Sequence, residues 1–178
     1  MILKGLKDKF KHNSGLKYLR QEVAQPRLRP EGRSGIQAVG ILADLDAFSD
    51  VEALFGLTEV LGIHPNAVKV LGYKSFYDKN SPYATPVFSD KDLGWKGAVE
   101  NSYVLEFLGR EYDLLINYFQ GDNLLMQLVS LQARARIRAG LHGVDPAYND
   151  LIFSCDISDF GLFTSELKKY LNVLKEIA

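Results

Sequence analysis

Acidic and amide side chains gather at two places in this 178-residue chain. Asp44-Leu45-Asp46 follows the apolar run 36–43. Asn117 lies inside the apolar run 112–119, and Gln120, Asp122 and Asn123 follow it. Runs of this length suit strands buried on both faces. In an open parallel sheet, ligands bind beyond the carboxyl ends of the strands, where strand order reverses. If the two runs are neighbours, Asp44, Asp46, Asn117, Gln120, Asp122 and Asn123 line that crevice and form the leading ligand-binding candidate. The competing reading is that they shape turns and cap helices, for which Asp and Asn are favoured.

An Asp-x-Asp pair after an apolar strand has two catalytic uses. In phosphoryl transfer one carboxylate attacks phosphorus and the other manages the proton, with magnesium bridging. In glycosyl transfer such a pair holds a metal. The phosphatase pattern of the haloacid-dehalogenase type expects Thr or Val two positions after the second Asp. Phe48 stands there, and no later acidic pair completes a magnesium site. Neither G-x-G-x-x-G after the first strand nor G-x-x-x-x-G-K-[ST] is present, so phosphate-cradling loops are not expected. His12, His64 and His142 are scattered, and Cys155 is the single cysteine, which excludes an internal disulfide and gives no metal-ligand spacing. No catalytic residue, metal or cofactor is therefore assigned. Arg134, Arg136 and Arg138 form either an anion cluster or the solvated face of a strand beside a helix C-terminus, and the second reading is favoured.

Segment 75–97 is irregular and rich in aromatics. Long irregular segments inside compact domains are often functional. Tyr77, Tyr83 and Trp95 are its candidates for a lid over the crevice or for a partner surface.

The elements that must position these groups alternate. After the strand at 36–43, Ser49 and Glu52 read as a capping box. Val51, Leu54, Phe55 and Leu61 line the helix that follows, and Gly62 ends it. A second strand covers 67–73, with a short strand at 86–89. A helix over 101–110 uses Val104, Leu105 and Leu108. The strand at 112–119 precedes an all-apolar helix starting near Leu124. Alternation over 134–139 predicts a strand with one solvated face near a sheet edge. A last strand spans 151–155. A final helix over 159–177 carries Phe160, Phe163, Leu167, Tyr170, Leu171, Leu174 and Ile177 at a 3.6-residue period. This order predicts a single α/β domain at 34–178 of Rossmann-like or flavodoxin-like type. Its sheet is mainly parallel, of about five strands, with helices on both faces.

Residues 1–33 form a basic arm and linker ahead of that domain. They carry nine basic and three acidic side chains, a net +6 against −7 for the remainder. The arm reads as two helical pieces, with Ile2, Leu3, Leu6 and Phe10 before a break at Asn13-Ser14-Gly15 and Leu16, Leu19 and Val23 after it. It docks either on its own body or on an anionic partner such as a membrane surface reached through residues 1–24. The acidic body and the absence of a nucleic-acid module motif argue against nucleic acid. Residues 1–11 are basic but no uninterrupted apolar run of signal-peptide type follows them, and the cysteine content suits a reducing compartment, so a cytoplasmic setting is expected.

Two resemblances rest on particular residues. Gly40 to Asp44 (G-I-L-A-D), Val68 to Tyr73 (V-K-V-L-G-Y), Asp92 to Gly97 (D-L-G-W-K-G) and Tyr112 to Asn117 (Y-D-L-L-I-N) follow the basic leader. In that order the chain resembles a domain-of-unknown-function family of short bacterial proteins. Tyr112 to Asn117, an apolar helix and Ala135 to Gly140 (A-R-I-R-A-G) are more weakly similar to the N-terminal half of heptosyltransferase-like glycosyltransferases. Those enzymes bind the nucleotide sugar mainly with a second Rossmann-like domain. The reading that follows is a non-catalytic binding or interaction module, whose partner is a protein, a small molecule or an anionic surface. The alternative is a small nucleotide- or sugar-binding enzyme related to glycosyltransferases.

Overall fold

The computed structural model describes residues 2–27, 29–30, 34–78 and 80–177. The side chains of Ile2, Leu3 and Lys4, and linker residues 31–33, lie outside the described residues. The order is α1 (Ile2–Val23), β1 (Val39–Asp44), α2 (Val51–Leu61), β2 (Val68–Tyr73), β3 (Val87–Phe88), α3 (Ser102–Leu108), β4 (Glu111–Tyr118), α4 (Leu124–Gln132), β5 (Arg134–Leu141), β6 (Leu151–Phe153) and α5 (Phe160–Val173). The strands form one sheet in the order β3-β2-β1-β4-β5-β6, and every pairing is parallel. Strand order reverses between β1 and β4, where Leu42 stands opposite Asn117.

The sheet has six strands rather than about five, because β3, only two residues long, pairs with β2 and closes the near edge. Its two faces carry separate cores. On one, Leu54, Leu57 and Leu61 of α2 meet Phe163, Leu167 and Leu171 of α5 over Ile41 and Ile116. On the other, Leu125, Leu128 and Val129 of α4, with Val104 and Phe107 of α3, cover Leu42 and Leu115. Alternate residues of a strand point to opposite faces, so each central strand feeds both cores.

Helix α1 packs on the second face. It is one continuous helix, not two pieces, and Gly15 lies inside it, facing α4. A Cβ there would stand 3.3 Å from Leu124 Cδ2, so the missing side chain lets α1 lie close on α4 instead of breaking it. Leu19 is buried beside it. The linker then straps the body. Arg27 donates to the Tyr148 carbonyl at 3.1 Å, Arg29 to Asp150 at 2.8 Å, and Gly35, at φ +86°, donates its N–H to Glu176 at 3.1 Å.

Several local expectations are corrected. The N-cap of α2 is Asp50, which accepts from the Ala53 N–H at 2.9 Å, not Ser49. The buried stripe of α2 is Leu54, Leu57, Thr58 and Leu61, and Phe55 faces outward. In α3 the buried pair is Val104 and Phe107, while Leu105 is 62% exposed. The buried stripe of α5 is Phe160, Phe163, Thr164, Leu167 and Leu171, with Tyr170 and Leu174 exposed.

Strand β5 lies near the sheet edge, next to the edge strand β6, but its arginines do not share a solvated face. Arg138 is 2% exposed. Its guanidinium donates to the Ser130 carbonyl and to the Ala133 carbonyl at 2.6 Å, the free acceptors at the end of α4. Burial first, then the nearby Arg27, pushes Arg138 down to about 10, which leaves it charged at neutral pH.

Candidate functional site

At the switch point Asp44 ends β1 and turns back on its own loop. Its Oδ1 accepts from the Asp46 N–H at 3.0 Å and the Ala47 N–H at 3.3 Å. Asp46 reaches β2, accepting from the Ser75 N–H at 2.7 Å, with Lys74 Nζ at 3.3 Å. Burial alone would raise the Asp46 carboxyl, but the Ser75 hydrogen bonds and Lys74 outweigh it and hold it below the usual range. Asp44 therefore shapes the turn after β1, and Asp46 ties that turn to the residues that follow β2.

The β4 half is arranged separately. Asn117 is fully buried and donates to Asn149 Oδ1 at 2.8 Å. Gln120 donates to the His142 carbonyl at 3.3 Å. Asp122 accepts from Gln127 at 3.4 Å, and Asn123 caps α4 by accepting from the Met126 N–H at 3.1 Å. Asp122 and Asn123 open onto a shallow cleft of about 380 Å³ shared with Asp8 and His12 of α1. Phe48 packs against Tyr118 and Phe160 at ring-centroid distances of 5.2 and 5.4 Å. The position that a phosphatase gives to Thr or Val is thus an aromatic packed on the core. Among the described residues, no group of three His, Cys, Asp or Glu side chains is placed to hold a metal. Burial pushes the Cys155 thiol up, away from thiolate character.

The aromatic segment divides. Tyr77 and Tyr83 meet edge to face at 6.2 Å and wall an open cleft of about 610 Å³ at the β3 edge of the sheet. Trp95 is elsewhere, in a 3₁₀ turn packed against α1, where the Lys96 N–H donates to Ser14 Oγ at 3.1 Å. The segment meets the switch point through Ser75, which bonds Asp46, and through Asp90 and Leu93, which line the cleft of Asp122 and Asn123. Asp92, Asn101 and Tyr103 also line the Tyr77 cleft, and the sequence reading did not single them out. Asn101 and Tyr103 come from the start of α3, which Asn101 ties to the segment by donating to the Val87 carbonyl at 3.3 Å and to Asp92 at 3.2 Å.

The third surface is α1 itself. Leu6 and Phe10 are 52% and 57% exposed, whereas Leu19 is 7% exposed. At about 100° per residue, Phe10 and Gly15 lie roughly 140° apart around the helix. Leu6 and Phe10 therefore face away from the body. Lys7, Lys9, Lys17 and Arg20 are exposed on the same helix. Among the described residues none of these four pairs with a carboxylate, while Lys11, closer to the docked side, lies 3.9 Å from Glu100. No described helix is long and apolar enough to cross a membrane.

No curated protein matches the chain, so the heptosyltransferase resemblance gains no support from a relative. A model described as a family of unknown function, DUF6913, matches residues 11–174, from the middle of α1 to the end of α5. The chain belongs to that family.

Proposed function

We propose that the protein is a non-catalytic interaction module of the cytoplasm that associates peripherally with an anionic membrane surface through the outward face of α1. The carrying observation is the division of that helix. Gly15 and Leu19 dock it on α4, while Leu6 and Phe10 point outward beside lysines that pair with no carboxylate among the described residues. An interfacial helix needs an apolar stripe to enter the headgroup boundary and cations to meet the lipid charge. Each cation near such a surface contributes about 1 kcal/mol, and burying a Leu or Phe side chain contributes about 1.5–3 kcal/mol. The net −7 of the remainder of the chain would keep the body off the surface and orient the helix toward it. A second copy is a poorer occupant, because the same lysines would face each other. The engagement of Asp44, Asp46, Asp122 and Asn123 in turns and caps supports a module over an enzyme.

The test is co-sedimentation with phosphatidylserine-containing and pure phosphatidylcholine vesicles at low and moderate salt. Binding only to the anionic vesicles is expected, weakened by salt over a Debye length of about 8–10 Å and lost in Leu6→Glu/Phe10→Glu. Equal binding to both vesicle types, or retention in the double variant, would overturn the reading.

A further inference from the structure

The Tyr77 cleft combines aromatic walls with three carboxylates, and among the described residues only Glu100 of these has a basic neighbour, Lys11. The cleft volume, about 610 Å³, falls within the roughly 300–1,000 Å³ usual for small-molecule sites. Tyr77, Tyr83 and Tyr103 line it together with Asp78, Asp92 and Glu100, and among the described residues no Lys, Arg or His does.

The three carboxylates are not equivalent. Asp78 spends its oxygens on the Asn80 N–H at 2.9 Å and the Ser81 hydroxyl at 3.4 Å. Glu100 is mostly exposed and has Lys11 at 3.9 Å. Asp92 is nine-tenths buried. Its Oδ2 accepts from the Ser89 N–H at 2.9 Å and from Asn101 Nδ2 at 3.2 Å. The Tyr77 hydroxyl lies within hydrogen-bond reach of the same carboxylate, and Asp92 forms part of the cleft wall. Burial first, and then the Asp92 carboxylate, raises the Tyr77 hydroxyl, so Tyr77 stays neutral and presents an intact ring.

We propose that this cleft binds a small organic cation, an alkylammonium group held against the tyrosine rings with Asp92 as its counter-charge. An ammonium is attracted to the negative faces of aromatic rings and to a partly desolvated carboxylate. A neutral sugar would stack on the same rings but gain no charge attraction from the three carboxylates of the cleft. An anion would meet three carboxylates.

The probe pair is choline and its uncharged carbon isostere, 3,3-dimethyl-1-butanol, titrated into the full chain and followed by amide NMR and calorimetry. Choline should shift the amides of Asp78, Tyr83 and Tyr103 saturably, and the isostere should bind about tenfold more weakly or worse. Tyr83→Ala and Asp92→Asn should each weaken choline by about tenfold. Asp92 also caps the Ser89 turn, so Tyr103→Ala, at an exposed position of α3, is the fold-neutral companion and should weaken choline as well. Absence of saturable choline binding to the folded chain, equal binding of the isostere, glucose bound in place of choline, or indifference to both tyrosine variants would overturn the proposal.

Discussion

Arg136 and Glu176, on β5 and just beyond α5, form a two-pronged ion pair, Nη1 to Oε1 at 2.5 Å and Nη2 to Oε2 at 2.7 Å. The guanidinium also donates to the Gly35 carbonyl at 3.0 Å, and the carboxylate accepts from the Gly35 N–H. Linker, sheet and C-terminal segment meet at this one contact. Parallel Arg–carboxylate forks are the stronger kind of ion pair, and this one is largely shielded, with about a sixth of each side chain exposed.

Removing the charge with Glu176→Gln should destabilise the fold by about 1–3 kcal/mol at pH 7, since Arg136 would lose its main partner in a shielded site. The Arg136 hydrogen bonds hold the Glu176 carboxyl below its usual range. A lowered folded-state value means the contribution is present above the unfolded value of about 4.3 and is lost as pH falls through the folded-state value. Urea unfolding of both proteins from pH 7 to pH 3 should show the gap closing toward the acid end. A constant gap would mean that the ion pair is not its source.

Gly140→Ala should destabilise by about 1–3 kcal/mol, the usual cost of overpacking. A Cβ at Gly140 would stand 2.5 Å from Asn149 Nδ2 and 2.7 Å from its Cγ. Asn149 is the partner of the buried Asn117, so the clash would also break that contact. Asn149→Ala removes the obstacle, so the double variant should be less destabilised than the sum of the single ones. Simple additivity in a denaturant double-mutant cycle would place the strain elsewhere.

The two faces of α1 should respond differently to substitution. Leu19→Ala should lose about 2–4 kcal/mol, as truncation in a packed core does. Leu6→Glu and Phe10→Glu should leave unfolding within about 0.5 kcal/mol of the parent, as exposed sites do. Equal losses at Leu19 and Phe10 would show that the helix rests on the body along its whole length. For the same reason, deletion of residues 1–24 should lower the thermal transition, because it strips Leu19 and the helix covering Leu124 and Leu128 from the second core.

Much of the sheet was legible because apolar strands alternating with amphipathic helices leave few layer arrangements. The runs at β1, β2 and β4 and the caps Gly62 and Asn123 depend on local periodicity and local backbone needs, which a chain displays in order. Helix faces were less legible. Phe55, Leu105 and Leu174 are as apolar as the neighbours that are buried, and only the packed partner decides which side turns inward. Gly15 shows the same limit: its missing side chain signals either a break or a close approach, and α4 settled the matter. Arg138 read as a solvated strand residue because nothing in A-R-I-R-A-G states that the end of α4 lies within reach of its guanidinium. The residues of the Tyr77 cleft come from 77–103, but its wall exists only once Asn101 bonds Val87 and Asp92 and holds the start of α3 alongside. Composition and periodicity thus determined the class of fold and the charge of its arm. Which polar groups are consumed in holding strands together, and which remain open to a ligand, depended on contacts between segments far apart in sequence.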